Sequence, residues 1–226
     1  MRYDRTVSGI FLRRPNRFVA EAEIDGEIRV CHVKNTGRCR ELLVPGTEVF
    51  LSVSGNPSRK TAYDLIAVRK GERIVNIDSQ APNAVVKESI EDILGHCDRV
   101  VPEWTCGDSR FDFYAERGNE RIIAEVKGVT LEKDDLALFP DAPTERGLKH
   151  VRELTALTRE GFSCRVVFLI QMEGIGAFSP NYAMQPEFGE ACEKAAEAGV
   201  RISAYGCRVT EDSLALGEEV PVRLHS

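Results

Sequence analysis

The residues best suited to do chemistry in this chain are two acids and a lysine: Asp112, Glu125 and Lys127. Twelve residues separate Asp112 from Glu125, and one valine separates Glu125 from Lys127. Side chains two positions apart in a β-strand share a face, so Glu125 and Lys127 point the same way. If Asp112 lies on the adjacent strand of a hairpin, its carboxylate meets that of Glu125 across the ladder. Two carboxylates held together repel each other, and a divalent metal ion relieves that repulsion.

This arrangement predicts a Mg²⁺ or Mn²⁺ site with positions left open for water and a substrate phosphate. The metal would lower the pKa of a bound water and stabilise charge on the phosphate under attack. Lys127 would orient or activate that water and stabilise the transition state. The alternative is structural: Glu125 and Lys127 would form a salt bridge on a solvated strand face, with Asp112 in a turn.

The segments that must position these residues read as a mixed α/β unit. After Pro82 the apolar residues fall at helical spacing up to a stop at Gly95, and the order that follows is β-β-β-α-β-α-β. The unbroken apolar run over residues 166–170 predicts a central strand covered on both faces. The predicted strands are 99–103, 110–116, 121–131, 164–171 and 200–207, and the later helices are 144–160 and 187–198.

The first 80 residues read as short strands divided by turns. Asp25-Gly26 is a strong two-residue hairpin signal, and Lys70-Gly71 is a second one. So many strands in so short a segment protect their edges best by closing into a small barrel. We therefore predict an OB-type barrel in residues 1–80 and the α/β domain in residues 81–226. The predicted strands are 6–12, 18–24, 27–33, 47–54, 62–69 and 73–78.

The order of elements around the two acids and the lysine is similar to that of the PD-(D/E)xK nuclease superfamily. In that arrangement Glu88, on the first helix, resembles the N-terminal acidic residue that often supports the metal ion. The alternative for Glu88 is an exposed helix carboxylate that follows Lys87. Phe111 stands before Asp112 where the superfamily motif has proline, which is a common relaxation.

Three blocks of sequence, spread over nearly the whole chain, resemble the sugar fermentation stimulation protein family. They are His32 with residues 35–38, 41–43 and 45–46; Asp112 with residues 125–131; and residues 139–150. The chain has Lys34 where the family usually has proline. The resemblance implies an N-terminal OB-fold domain, a C-terminal PD-(D/E)xK-type domain and DNA binding. It also implies a link to the regulation of sugar catabolism genes, which says little about mechanism.

Two further groups of residues are candidates for contact with a nucleic acid. Near the scissile phosphate we expect Arg146, Lys149 and His150, with Asp141 and Glu145 as outer partners. The alternative for this group is a solvated helix face held by pairs at i and i+4.

In the barrel, a cluster around a glycine turn and a basic edge suit phosphate positioning. The alternative for the turn is a hydrogen-bonded loop that shapes the domain interface. The cluster is His32, Lys34, Asn35, Thr36, Arg38 and Arg40, and the edge is Arg13, Arg14 and Arg17.

The charge distribution and the cysteine content indicate what kind of partner and what cellular environment the protein has. The net charge of −6 divides into +4 over residues 1–80 and −10 over residues 81–226, so a basic front half could meet phosphates while acids behind it hold a cation. No segment reads as a membrane span or a signal peptide, which predicts a soluble cytoplasmic protein. The seven cysteines contain no C-x-x-C pair, which predicts reduced and mostly buried thiols.

Two classes of function fit the sequence. The first is a metal-dependent phosphodiesterase that acts on DNA, with RNA as an open alternative. The second is a DNA-binding regulator of sugar metabolism genes that does not cut. The presence of all three residues Asp112, Glu125 and Lys127 favours the enzyme, because converging carboxylates repel a polyanion unless a metal is bound. Homodimerisation is compatible with the class but is not indicated by the sequence.

Overall fold

The computed structural model describes residues 1–35, 37–56 and 58–225. Its helices are α1 (Ala81–Glu88), α2 (Ile90–Leu94), α3 (Glu145–Arg159) and α4 (Pro186–Glu197). Its strands are β1 (Thr6–Asn16), β2 (Val19–Ile24), β3 (Glu27–Val33), β4 (Glu48–Val53), β5 (Tyr63–Lys70), β6 (Arg73–Asn76), β7 (Arg99–Cys106), β8 (Ser109–Arg117), β9 (Glu120–Val129), β10 (Leu131–Lys133), β11 (Leu136–Phe139), β12 (Ser163–Ile170), β13 (Ala177–Pro180), β14 (Arg201–Val209) and β15 (Leu214–Val220).

Strands β1 to β5 form a closed barrel. They lie in the order β3-β2-β1-β4-β5, and a parallel pairing between β3 and β5 closes the cylinder. The β2–β3 hairpin turns at Asp25-Gly26, and the β5–β6 hairpin turns just after Lys70, as their sequences predict. In β2 the alternate residues Ala20, Ala22 and Ile24 fill the interior, whereas β4 and β5 are buried over consecutive residues. This confirms the OB-type barrel at the N-terminus.

The larger sheet has the order β15-β14-β12-β9-β8-β7, with β12 parallel to both β9 and β14. Helices α3 and α4 cover the side of the sheet to which Val166 and Phe168 point, and α1 and α2 cover the side of Val167 and Leu169. Strand β12 is buried along almost its whole length, as an apolar run without alternation requires. The predicted central strand and the mixed α/β class are both confirmed.

Several elements differ from the predictions. One predicted helix after Pro82 is two short helices, since the backbone leaves the helical region at Ser89. The strand predicted to run to Leu131 ends at Val129. Strands β10, β11 and β13 form a separate three-stranded sheet, and β15 adds an edge to the larger sheet. Strands of three or four residues are too short for an alternating pattern, which is why sequence periodicity missed this small sheet.

The barrel and the larger sheet share one buried apolar cluster. It runs without a break from Phe11 and Leu65 inside the barrel to Phe168 and Phe188 beneath α3 and α4. Polar bonds cross the same junction: Gln171 donates from Nε2 to Asn76 Oδ1 at 2.9 Å and to the Asp78 carbonyl at 3.1 Å. The relative position of the two parts is therefore fixed by packing as well as by hydrogen bonds.

No helix in the described parts of the chain is long and apolar enough to cross a lipid bilayer, α3 having only 15 residues. The seven cysteines are all free, and five of them are buried, which confirms the predicted reduced thiols. Burial raises the pKa of Cys31, Cys39, Cys192 and Cys207 to about 12 in each case.

These thiols should therefore be unreactive in the folded protein. Because the thiolate is the reactive form, we expect a thiol reagent at pH 8 to modify only the half-buried Cys97 and Cys106 in native protein. A colorimetric titration of released thiolate checks the count, and the same titration in denaturing guanidinium should give all seven. Rapid modification of three or more thiols in native protein would contradict the packing described above.

Candidate active site

Glu125 is an acid inside the larger sheet. It lies in β9 between Ala124 and Val126, and only 3% of its surface is exposed. Its Oε1 accepts hydrogen bonds from Lys127 Nζ and from His150 Nδ1, both at 2.5 Å. Its Oε2 is buried with no hydrogen-bond partner among the described residues. A buried carboxylate oxygen without a donor is costly, so this atom needs a cation or a donor that the protein itself does not supply.

Asp112 stands where the β8–β9 ladder ends. The regular pairing of the two strands runs only as far as Phe113 opposite Ala124. After this pair, the Val126 backbone N–H donates to the Asp112 carboxylate, to Oδ2 at 2.7 Å, and not to a backbone carbonyl of β8. Its Oδ1 accepts from Asn83 Nδ2 at 2.7 Å. Asp112 is thus fixed from β9 and from α1, beside Glu125.

The two carboxylates have opposite pKa shifts. The pKa of Asp112 is raised, first by burial and then by the negative charge of Glu125. Burial alone would also raise the pKa of Glu125, but the hydrogen bond from His150 and the charge of Lys127 outweigh it and hold that pKa below its usual value. Glu125 is therefore ionised at neutral pH, and its charge makes ionisation of Asp112 less favourable than that of a solvated aspartate.

His150 reaches the site because of the way α3 begins. Thr144 caps the helix by accepting the Gly147 N–H at 3.0 Å, and Thr144 N–H donates to Gln185 Oε1 at 2.9 Å. With the first turn fixed, His150 faces the sheet, where it is 3% exposed. The sequence predicted His150 as a hydrogen-bonding neighbour of the site, and its bond to Glu125 has that geometry.

A cationic groove opens next to His150. Its volume is about 430 Å³, and Arg110, Arg146 and Lys149 bring positive charge to its walls. Glu145 and Asp108 also line it, so its charge is mixed with an excess of cations. The predicted supporting residues Glu145, Arg146, Lys149 and His150 therefore lie together. Asp141 lies apart from them, in a second cleft on the barrel side.

Glu88, the predicted further metal ligand, is not brought to this site. Its Oε2 accepts from the Met1 amino group at 2.6 Å and is largely exposed to solvent. Asn83 of the same helix contacts Asp112 instead. A Cβ at position 128 would lie 2.7 Å from Pro82 Cγ, so it is the first turn of α1 that meets the end of β9. No acidic residue stands in that turn, and sequence reasoning that looked for an acid missed Asn83.

Several residues of the predicted barrel surface have partners within the protein. Lys34 Nζ contacts Asp78 Oδ2 at 2.9 Å, and His32 Nδ1 contacts Asp64 Oδ1 at 3.2 Å. Arg13 pairs with Glu21 at 2.8 Å.

The glycine turn itself is held by internal hydrogen bonds. Arg14 donates to the carbonyls of Asn35, Gly37, Arg38 and Arg17, and Asn35 Oδ1 accepts the Gly37 N–H at 2.7 Å. Arg17, Arg38 and Arg40 are exposed, and Thr36 lies outside the described residues. The DNA-binding role assigned to this group stays a prediction.

Residues 80–213 of the chain match the family described as "Sugar fermentation stimulation protein RE domain", and residues 12–77 match "SfsA N-terminal OB domain". The chain belongs to the sugar fermentation stimulation protein family. A homolog of that name from Desulfitobacterium hafniense is 52% identical over 225 residues, which is 99% of each chain. Another from Clostridium beijerinckii is 49% identical over 99% of this chain and 100% of its own.

The family also includes a protein of known structure. SfsA of Pyrococcus furiosus, solved in complex with Ca²⁺, is 29% identical to this chain with a TM-score of 0.89, over 99% of this chain and 98% of that one. In residues 1–35, 37–56 and 58–225 here, no three His, Cys, Asp or Glu side chains are grouped so as to hold a metal ion. The candidate site thus offers a cation the carboxylates of Asp112 and Glu125 and leaves the remaining positions to other oxygens.

Removing the charge of Asp112 should stabilise the metal-free protein. Because the folded-state pKa of Asp112 is raised, its ionised form costs stability at neutral pH, and this cost disappears as the pH falls through that pKa. We expect Asp112→Asn to raise the Tm by about 2–4 °C at pH 7, the effect of roughly 1 kcal/mol in a protein of this size. Calorimetry in EDTA measures the shift.

The gain should shrink in acid, where wild-type Asp112 is neutral as well. The exposed Asp4→Asn is the control and should leave the Tm unchanged. A lower Tm for Asp112→Asn at pH 7 would mean that the bonds from Asn83 and Val126 outweigh the repulsion by Glu125.

Proposed function

We propose that this protein binds nucleic acid, with DNA as the first candidate, and hydrolyses its phosphodiester bonds with a divalent metal ion held by Asp112 and Glu125. The observation that carries the proposal is the unpartnered Oε2 of Glu125, buried beside a second carboxylate. A protein that only bound DNA would have no use for two converging acids, since they repel phosphate and cost stability.

The residues fit Mg²⁺ or Mn²⁺. Such ions bind through one or two carboxylates and complete their octahedral shell with water and substrate phosphate. A shell with two carboxylates therefore needs no third acidic residue. The Ca²⁺ bound by the Pyrococcus furiosus relative is likewise a hard cation that takes oxygen ligands. When bound, the metal supplies a water of lowered pKa and neutralises charge on the phosphate.

The side chains around the acids have separate tasks. His150 holds Oε1 of Glu125, and Oε2, which has no partner among the described residues, would bind the metal. Asn83 and the Val126 N–H each donate to one oxygen of Asp112, so both of its oxygens are held and a metal ion would bind through their remaining lone pairs. Lys127 is 13% exposed and neutralises Glu125 in the free protein. Once a cation shares that charge, its ammonium group can turn to the attacking water or to the phosphate.

The cationic groove gives the substrate backbone a path. Arg146 and Lys149 lie one helical turn apart on α3, and Arg110 faces them from β8. Guanidinium and ammonium groups in this arrangement suit phosphate contacts, which position a strand without reading its sequence. Because His150 also lines the groove, a phosphate that enters it is led towards Glu125.

Cleavage assays test the proposal directly. With Mg²⁺ or Mn²⁺ we expect cutting of DNA or RNA, single- or double-stranded, and a loss of at least about a hundredfold in rate for Glu125→Gln and for Lys127→Met. Glu197→Gln and Lys194→Met are the matched controls, because both side chains are exposed near the end of α4 and neither lines the cationic groove. Binding without cutting under every metal and substrate would instead support the non-catalytic regulator.

Metal binding can be tested without any activity. A ligand present at about 100 times its Kd stabilises the folded state by about 2.7 kcal/mol, so Mn²⁺ should raise the Tm of the wild-type protein. We expect Asp112→Asn and Glu125→Gln to lose most of that rise, and Asp4→Asn to keep it. A Mn²⁺-dependent rise of equal size in all four proteins would place the metal elsewhere.

A further inference from the structure

A second cleft is lined by the segment that leads into α3, whereas the cationic groove is lined by the first turns of that helix. It has a volume of about 340 Å³, within the range of small-ligand sites. Both parts of the protein build it: Asn35 and Gly37 come from the barrel, and residues 139–144 lead into α3. Gly128 and Gln171 form its floor, and Gly128 directly follows Lys127 in β9.

Two glycines let the walls approach each other. A Cβ at position 37 would lie 2.5 Å from Asp141 Oδ2, so the barrel loop and the Asp141 carboxylate are in close contact. A Cβ at position 128 would lie 2.5 Å from Gln171 Oε1. Only a glycine at position 128 allows the Gln171 amide to lie this close to β9. The shape of the cleft therefore depends on Gly37 beside Asp141 and on Gly128 beside Gln171.

The lining does not suit a phosphate. None of the described residues that line the cleft is a lysine or an arginine, and its one charged side chain is the acidic Asp141. The cationic groove has the opposite character, since Arg110, Arg146 and Lys149 line it. A neutral ligand is therefore favoured in the cleft, while phosphates are favoured in the groove.

The polar atoms of the cleft suit a nucleobase. The Nε2 of Gln171 is used by Asn76 and Asp78, so the amide presents its Oε1 as an acceptor beside Gly128. The Asp141 carboxylate is a second acceptor. Exocyclic amino groups of bases are donors that match such acceptors. Ala142 and Pro143 add apolar surface for a flat ring.

The cleft is also at a suitable distance from the acids. Gly128 lies three residues beyond Glu125 in β9, about 10 Å along the strand and on its opposite face. It is nearer to the support of Asp112, because Pro82 packs against Gly128 and the next residue, Asn83, donates to Asp112. A base can reach the cleft from a nucleotide next to a phosphate bound at Asp112 and Glu125, provided that this base is not stacked in a duplex.

We propose that this cleft takes one unstacked nucleobase of the substrate, next to the bond that is cut. The proposal rests on the proposed function and narrows it: the substrate is single-stranded or locally opened nucleic acid. The groove holds the backbone by charge, and the cleft adds affinity that depends on the base.

The test separates base from backbone. The affinity of the full chain is measured by fluorescence anisotropy, in Ca²⁺ buffer, for a single-stranded DNA hexanucleotide and for the same hexanucleotide with abasic sugars throughout. The two probes carry the same phosphates. We expect wild type to bind the base-bearing probe about tenfold more tightly, the scale of one base contact. Ala142→Trp, which fills the cleft, should bind both probes at the abasic level.

The control is Ala156→Trp, a matched change at an exposed position of α3, which should keep the tenfold preference. Equal binding of both probes by wild type, or a preference that survives Ala142→Trp, would overturn the base site while leaving the proposed function standing. Binding of neither probe would overturn the single-stranded substrate and with it the base site, whereas the proposed function is overturned only if double-stranded DNA and RNA also fail to bind. A free nucleoside that binds as tightly as the hexanucleotide would make the cleft a small-molecule site and overturn its assignment to a polymer.

Discussion

The charge of Glu125 inside the larger sheet is the constraint around which the surrounding elements are arranged. An ionised carboxylate at 3% exposure is stable only when groups from several directions compensate it. Lys127 does so from the same strand and His150 does so from α3, which ties the register of that helix to β9. The compensation is incomplete on one oxygen. The unpartnered Oε2 of Glu125 is the feature on which the proposed metal site rests, since a purely structural salt bridge would leave neither oxygen without a partner.

The acid pair also explains why the chain needs α1 at the start of its α/β part. Asp112 lies beyond the last paired residues of β8 and β9, where the ladder alone would not hold it. Asn83 closes that gap from the first turn of α1, and Pro82 packs that turn against Gly128. The helix therefore supports the position of a carboxylate, although it carries no acid there itself.

The sequence predicts those parts of the fold that have a strong local pattern. Hairpins at Asp25-Gly26 and Lys70-Gly71, the alternating barrel strands and the apolar run of β12 each indicate their structure within a few residues. The pairing of β11 with β13 joins segments about 40 residues apart, and no local pattern reports such a contact. The same holds for the site. Strand spacing in the sequence predicts that Glu125 and Lys127 lie together. It does not predict that Asn83 of α1 contacts Asp112 while Glu88 of the same helix does not, because that depends on how the helix packs on the sheet.

The single apolar cluster shared by the barrel and the larger sheet has a consequence for how a substrate is accommodated. Moving the two parts away from each other would divide that cluster where the barrel meets the larger sheet, and apolar surface would be exposed there. The cleft lined by Gly37 and Asp141 therefore keeps its width and does not close over a ligand. The residues that line the cleft are already ordered in the folded protein. Their conformational entropy was lost when the chain folded, so a ligand binds without a further loss of entropy in these residues.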